Sequence, residues 1–232
     1  MGRFAWCAVL ALVLLLASGC TNKNKDGSSG SNDMPSKHEA HPADAFETSN
    51  DPPLNANTRF AAGQLAEAQG EGDKAVTQFK EALKLDPKHR DAQFHLAAVL
   101  MQQRRFPEAI AAWERYIVIT NNAPAAYNDL AFCYELAGQI DKAEETYKAG
   151  IARVPTDTSC RINYGLMLAR QNKLDDAAAQ LGMALKPAEV AYNLGSVFEQ
   201  QGKTEQAKAY YRKALELDPN LRDAKAKLAA MK

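Results

Sequence analysis

Small and apolar residues recur along this chain with a period of 34 residues between positions 56 and 221. One position is always glycine or alanine, and another, twelve residues later, is always alanine. A third position, four residues beyond the alanine, is bulky and is occupied by Phe79, Trp113, Tyr147, Leu181 and Tyr211. Small residues are needed where two helices approach closely, and large ones where they interlock. The pattern therefore predicts antiparallel helix pairs that bury their apolar faces by stacking on neighbouring pairs.

A turn closes most of these units, at Leu85-Asp86-Pro87, Val154-Pro155 and Leu217-Asp218-Pro219. With this turn the pattern resembles the tetratricopeptide repeat family. The resemblance implies an all-α fold, a right-handed superhelical solenoid of five helical hairpins plus a C-terminal capping helix. Repeat-like hairpins of other families are the alternative, although their periods are usually longer. The predicted repeats are 56–89, 90–123, 124–157, 158–187 and 188–221, with the cap at 222–232.

One unit departs from the period, because it is four residues short between Ala184 and Gly195. Leu185-Lys186-Pro187-Ala188 stands there in place of a longer helix end and turn. Four residues correspond to about one turn of helix. We therefore predict that the second helix of the fourth repeat ends early and that repeats four and five stack differently.

The N-terminus has a different character from the repeats. Arg3 is followed by an uncharged segment, 4–17, and then by Ser18-Gly19-Cys20, which together predict a secretory signal over 1–19. A retained transmembrane helix is the alternative, but the apolar segment falls short of the roughly 20 residues needed to span a bilayer.

The end of this segment, Leu16-Ala17-Ser18-Gly19-Cys20, resembles the bacterial lipobox. The resemblance implies that Cys20 is acylated and anchors a lipoprotein to a membrane of the bacterial cell envelope, on the periplasmic side or at the cell surface. An ordinary signal with an incidental cysteine is the alternative. Residues 20–55 are rich in Asn, Ser, Lys, Asp, Gly and Pro, which predicts a disordered tether.

Charge and motifs exclude several function classes. The chain has 28 basic and 28 acidic residues without a basic stripe, so nucleic-acid binding is disfavoured. It lacks the HExxH, GxxxxGK[ST] and GxSxG patterns, and we expect no catalytic residue, cofactor or small-molecule substrate.

His38 and His41 are spaced to share a metal, but a coil without further ligands makes a metal site unfavourable. Cys133 and Cys160 occupy apolar repeat positions, which predicts packed, unbonded thiols.

The first helix of each pair also carries a face that points away from its partner helix. Stacking lines these faces up along one surface, here called the concave wall, which is the usual peptide groove of the family. The apolar members of this surface predict a docking site for a protein segment, and packing between neighbouring helices is the alternative. The predicted groove residues are Phe94, His95, Met101, Asn128, Asp129, Phe132, Glu135, Ile162, Asn163, Leu166, Arg170, Tyr192, Asn193 and Glu199.

Two family variants bear on the ligand. Asn163 and Asn193 share one repeat position and form part of the asparagine ladder with which some members grip a peptide backbone. The Lys/Arg and Asn residues that clamp a carboxylate in chaperone-binding members are missing, since the early repeats offer Phe60, Gln64, Phe94 and His95 instead.

These features predict a non-enzymatic, membrane-anchored scaffold that binds another protein. The layout resembles that of pilotins and tight-adherence (Flp) pilus assembly lipoproteins, which would imply a role in pilus or secretion-system assembly. A general envelope scaffold that recruits peptidoglycan enzymes is the alternative, and an enzyme is a remote one.

Overall fold

The computed structural model describes residues 55–121 and 123–231, apart from the side chain of Pro124. These residues form eleven α-helices and no strand, which confirms the predicted all-α fold and helix number. In chain order they are α1 Ala56–Ala68, α2 Gly72–Leu85, α3 Arg90–Gln102, α4 Phe106–Ile119, α5 Pro124–Leu136, α6 Ile140–Arg153, α7 Ser159–Arg170, α8 Leu174–Gly182, α9 Pro187–Gln200, α10 Thr204–Leu217 and α11 Arg222–Ala230.

Each odd-numbered helix from α1 to α9 packs against the even-numbered helix that follows it, and each pair stacks on the next. The core of each hairpin holds the alanine and the bulky residue that the sequence pattern identified. Ala143 and Tyr147 on α6, for example, are completely buried, as are Ala207 and Tyr211 on α10. The recurring residues therefore form the interface within each pair, as predicted.

The turn inside every hairpin has the same backbone geometry. One residue at equivalent positions takes a left-handed conformation with φ between 59° and 76°. These residues are Gly70, Arg104, Gly138, Asn172 and Gly202. In each turn the next amide donates to the carbonyl five residues earlier, at 2.9 to 3.0 Å, which closes a Schellman motif. Five equal turns thus give the five hairpins a common shape.

Three of the turns that follow second helices are held by aspartate side chains. The Oδ1 atoms of Asp86 and Asp218 each accept from the amide two residues later at 2.9 Å. Asp157 accepts in the same way from Ser159 at 2.8 Å. Such Asx turns stop one helix and leave the next free to start.

The fourth repeat departs from the others where the four residues are missing. Its second helix, α8, has 9 residues, whereas α2, α4, α6 and α10 have 14. This confirms the early end, and α9 begins at Pro187, one residue before the predicted repeat boundary. The short helix leaves a cleft of about 510 Å³ beside α9 and α10, lined by Leu174, Leu185 and Tyr210 among others. The stacking of repeats four and five is altered as expected.

The remaining elements follow the predictions that fall on described residues. The cap forms as α11, which buries Ala224. Cys133 and Cys160 are buried and unbonded. Among the described helices, none combines the length and hydrophobicity needed to cross a bilayer. The predicted signal at 1–19, Cys20, most of the 20–55 tether, His38 and His41 lie outside the described residues and stay predictions.

Candidate functional site

The concave wall is built from one face each of α3, α5, α7 and α9. Phe94 on α3 is 37% exposed, and its ring meets Trp113 edge to face, with 5.4 Å between centroids. Tyr116 lies 5.6 Å from the same ring. Phe94 is thus held in a fixed position by two aromatic neighbours while part of its surface remains open to a ligand.

The other apolar members of the wall are partly buried. Ile162 and Leu166 on α7 pack in part against the core, and Met101 on α3 does the same. Phe132 on α5 keeps an intermediate exposure. The ring of Tyr192 lies 5.5 Å from that of Tyr211. Packing between helices therefore accounts for part of each side chain, and the remainder faces outward.

The amide groups of the expected asparagine ladder are occupied within the protein. Asn163 donates through Nδ2 to Oδ1 of Asn128 at 2.7 Å. Asn193 donates through Nδ2 to the carbonyl of Glu189, in its own helix, at 2.8 Å. A ligand backbone would have to displace these bonds, so the wall offers fewer free amide donors than the sequence pattern indicates.

Carboxylates at one repeat position pair with the following repeat, a relationship that the sequence analysis missed. Glu67 binds Nδ1 of His95 at 2.7 Å, and Glu199 binds Nζ of Lys227 at 3.0 Å. Both partners come 28 residues later in the chain. In the third repeat, Glu135 is instead bound by Nε of Arg170 at 2.6 Å. These pairs bridge successive first helices, or the last first helix and the cap.

Asp129 differs from these carboxylates because it has no cationic partner. It accepts a single long bond of 3.4 Å, from Nδ2 of Asn128. Burial raises its pKa to about 6, and the bond from Asn128 only partly opposes that effect. Asp129 is therefore a poorly solvated carboxyl group in the middle of the wall.

Two polar atoms of the third repeat are buried without a hydrogen-bond partner. They are the hydroxyl of Tyr147 and Oε2 of Glu135. In the fifth repeat, the equivalent tyrosine, Tyr211, donates to the equivalent glutamate, Glu199. Burial, together with the charge of Glu135, raises the pKa of Tyr147 far above its ordinary value, so its hydroxyl stays protonated.

Among the described residues, no group of three or more His, Cys, Asp or Glu side chains is arranged to hold a metal ion. Burial raises the pKa of the Cys133 thiol to about 11 and that of Cys160 to about 12. Both thiols are therefore protonated and poor nucleophiles at neutral pH.

Comparison with protein families supports the repeat assignment. A family model described as the tetratricopeptide repeat matches residues 60–128 and 134–189. A second model with the same description matches residues 188–221, the range predicted for the fifth repeat. Together these matches cover more than half of the chain.

Solved structures of similar fold include tetratricopeptide repeat proteins. YrrB, described as having an unusual peptide-binding site, is 21% identical with a TM-score of 0.52, over 73% of this chain and 90% of that one. A thermophilic repeat protein of Thermus thermophilus is 24% identical with a TM-score of 0.53. The match covers 76% of this chain and 98% of that one. MamA is 19% identical with a TM-score of 0.57, and the match covers 72% of this chain and 94% of that one. At these identities the likeness concerns the fold.

Curated relatives have diverse descriptions. The general transcriptional corepressor ssn6 of Schizosaccharomyces pombe is 24% identical over 72% of this chain and 13% of that protein. The type IV pilus assembly protein PilF of Pseudomonas aeruginosa is 27% identical over 56% of this chain and 54% of that protein. An uncharacterized Sinorhizobium fredii protein is 29% identical over 52% of this chain and 64% of that protein. The chain spans less than two thirds of the length of each.

Proposed function

The chain belongs to the tetratricopeptide repeat family, and from that premise we propose that it is a non-enzymatic, membrane-anchored scaffold of the bacterial envelope. Proteins of this fold act as protein-interaction scaffolds. The scaffold holds a segment of another protein against the concave wall and carries no chemistry of its own.

The observation that carries this proposal is the set of outward apolar side chains on consecutive first helices. Phe94, Phe132 and Leu166 come from α3, α5 and α7, and each leaves part of its surface open. An apolar side chain gains free energy when water is removed from its surface. A partner segment laid across the three helices would remove that water and bring its own apolar residues into contact with the wall.

Anchoring through Cys20 completes the proposal. The lipobox-like residues Leu16-Ala17-Ser18-Gly19-Cys20 support acylation, and more than one acyl chain on a cysteine makes a stable anchor. The repeats would then be held near a membrane surface by the segment between Cys20 and Asn55.

Assistance to pilus or secretion-system assembly is the more specific part of the proposal. Its support is the similarity to the pilus assembly protein PilF, together with the predicted lipoprotein layout. Recruitment of peptidoglycan enzymes to the envelope is the rival role, and the identity of the captured partner separates the two.

A pull-down with the tagged protein from envelope extracts of its host tests the scaffold role. The test variant is Phe132→Asp with Leu166→Asp, which places two charges on the wall. The matched control is Val118→Asp, because Val118 is 77% exposed on a second helix outside the wall. We expect the native protein and the control to retain pilus or secretion components, and the double variant to lose them while its helical circular dichroism is unchanged. Equal capture by all three would contradict the proposal.

Lipidation is tested separately by metabolic labelling with an alkyne analogue of palmitate. Labelling is expected in the native chain and in Cys7→Ser, because Cys7 lies inside the predicted signal. It should disappear in Cys20→Ser, which should also move the protein out of the membrane fraction. Labelling that persists in Cys20→Ser would overturn the anchor.

A further inference from the structure

The first and second repeats meet at two histidines that flank one phenylalanine. The ring of Phe60 on α1 lies 4.9 Å from that of His89 and 5.4 Å from that of His95, measured between centroids. His89 immediately precedes α3 and His95 lies within it. Histidine is the side chain whose charge ordinarily changes between about pH 5 and 8. The contact between these two repeats therefore contains two groups that respond to pH in that range.

His89 is the N-cap of α3. Its Nδ1 atom accepts a hydrogen bond from the backbone amide of Ala92 at 3.2 Å. An amide N–H only donates, so Nδ1 carries a lone pair and no proton. The ring proton of neutral His89 therefore lies on Nε2, which donates to Oδ1 of Asn57 on α1 at 3.1 Å. The neutral ring thus caps one helix and binds another.

Protonation of His89 is incompatible with this cap. The added proton would occupy Nδ1 and point at the Ala92 amide, so two donors would face each other. The cation would also lie at the positive end of the α3 dipole, which is unfavourable. Charged His89 can keep its contacts with Asn57 and Phe60, but the first turn of α3 loses its cap.

The charged groups of the neighbouring segments are bonded elsewhere or belong to α3 itself. They are Arg59 on α1, Lys84 on α2, Asp86 and Lys88 in the turn, Arg90 and Asp91 on α3, and Arg115 on α4. Arg59 and Lys84 are bound to side chains of α2, while Asp86 and Arg115 bind the backbone of the turn. The described hydrogen bonds of His89 end on Asn57 and Ala92, and neither partner is a carboxylate.

His95 is bonded in the opposite sense. Its Nδ1 atom lies 2.7 Å from Oε2 of Glu67 on α1. A carboxylate only accepts, so this ring nitrogen carries a proton. The His95 side chain is 27% exposed and that of Glu67 19%, and the rings of Phe79 and Phe94 lie beside His95. Protonation of the second ring nitrogen turns the bond into a partly buried, charge-assisted one, which is stronger.

We propose that His89 and His95 form a pH-sensitive switch in the contact between the first two repeats. Around neutral pH, neutral His89 caps α3 and ties it to the beginning of α1. At mildly acidic pH, charged His89 releases the cap, whereas charged His95 holds the end of α1 more tightly through Glu67. The switch acts at the edge of the concave wall, because Phe94 and His95 lie on α3, and it does not depend on what the wall binds.

The later repeats lack this arrangement within the described residues. The N-cap residues of α5, α7 and α11 are Ala123, Thr158 and Leu221, and none of them makes a side-chain cap bond. In the fifth repeat, the partner of the equivalent glutamate is Lys227, which stays charged throughout the range in which histidine titrates. Acidification should therefore act on the junction of the first two repeats and leave the later junctions unchanged.

Nuclear magnetic resonance of the purified protein tests the switch. Long-range ¹⁵N–¹H correlation spectra show which imidazole nitrogen carries the proton, and amide hydrogen exchange measures the cap at Ala92. The test variant is His89→Asn, because asparagine caps a helix well and does not titrate. Glu67→Gln is the matched variant for the other histidine, since it removes the charge that His95 binds and leaves the cap untouched.

We expect neutral His89 to carry its proton on Nε2, and His95 to be protonated on Nδ1. Between pH 7.5 and 5.5, protection of the Ala92 amide, corrected for the intrinsic exchange rate, should fall about fivefold in the native protein and in Glu67→Gln, as typical for loss of a cap. It should not change in His89→Asn. Protection in the last turn of α1 should rise over the same interval in the native protein and not in Glu67→Gln.

Two results would overturn the switch. One is a neutral His89 with its proton on Nδ1, since that ring could not accept from Ala92. The other is a loss of Ala92 protection in His89→Asn equal to that in the native protein, because the response would then come from another group.

Discussion

Glu135 and Arg170, which lie 35 residues apart on α5 and α7, form a 2.6 Å ion pair between Oε1 and Nε. The carboxylate side chain is only 11% exposed and the guanidinium side chain 33%. The pair therefore links the first helices of the third and fourth repeats at a point largely removed from water. It ties α5 to α7, both of which contribute residues to the concave wall.

Removing one partner of this pair should be costly. Arg170→Met leaves a nearly buried carboxylate without its cation, and we expect a loss of about 1 to 3 kcal/mol in the free energy of unfolding. The control is Lys148→Met, which breaks the more exposed pair between Lys148 and Glu144 on α6. Exposed pairs contribute about 0.2 to 1 kcal/mol, so the control should change little. Equal losses of stability in the two variants, measured by urea unfolding, would contradict a larger contribution from the Glu135–Arg170 pair.

The left-handed turn residues make a second prediction. Arg104 has a φ of 59°, a conformation that costs a residue with a side chain roughly 1 kcal/mol more than glycine. Arg104→Gly should therefore stabilise the protein by about 0.5 to 1 kcal/mol in urea unfolding. The reciprocal change, Gly138→Ala at φ 75°, should destabilise it by a similar amount. A destabilising Arg104→Gly would indicate that the arginine side chain contributes an interaction of its own.

Close packing between the third and fourth repeats is tested at Gly150. A Cβ atom there would lie 2.6 Å from Sγ of Cys160 and 3.0 Å from Cβ of Tyr127. Gly150→Ala should lower the free energy of unfolding by about 1 to 3 kcal/mol, because α6 and α7 would have to separate. Gly182→Ala is the control, since no atom lies within 4 Å of its added Cβ. It should be neutral or slightly stabilising, and a similar loss at both positions would contradict the close approach.

Stability should depend on pH through Asp129. Its pKa is about 6 in the folded protein and 3.8 in the unfolded reference, so the folded state binds the proton more tightly between these values. The contribution of Asp129 to the free energy of unfolding should therefore fall as pH rises from about 4 to 6, by at most about 3 kcal/mol. Asp129→Asn should reduce this dependence when urea unfolding is followed across the same pH range. A native protein whose stability rises throughout that range, with no effect of the substitution, would contradict the burial of Asp129.

Much of the fold was predictable because its core positions follow from local spacing. Ala143 and Tyr147 recur in register with their counterparts, so the buried face of each second helix could be identified without knowledge of distant contacts. The early end of α8 was equally predictable, since Pro187 and the missing residues leave too little chain for a full helix.

The turns and ion pairs were harder to predict, although the sequence contains signals for both. Gly70, Gly138 and Gly202 recur at one turn position, which indicates the same left-handed geometry at Arg104. Glu67, Glu135 and Glu199 also recur, but their partners depend on which side chain of the next helix comes within reach. That choice is made by tertiary packing, and it is why Arg170 serves Glu135 where Asn163 does not.

The groove itself was predicted as a surface, and its residues stay a prediction as a binding site. Phe94, Phe132 and Leu166 each keep part of their surface exposed. The sequence pattern could not indicate that Asn163 and Asn193 use their amide donors within the protein. Those bonds depend on rotamers, which follow from the neighbouring side chains and not from the repeat pattern.

Photo-crosslinking in living cells tests the central claim most directly, namely that the concave wall holds a partner. A benzophenone amino acid is placed at Phe94 or Phe132 in the wall, and at Val118 or Glu145 outside it, one site per chain. We predict that irradiation joins the same partner protein to both wall positions and to neither outer position. Adducts from the outer positions, with none from the wall, would contradict the groove as the binding surface.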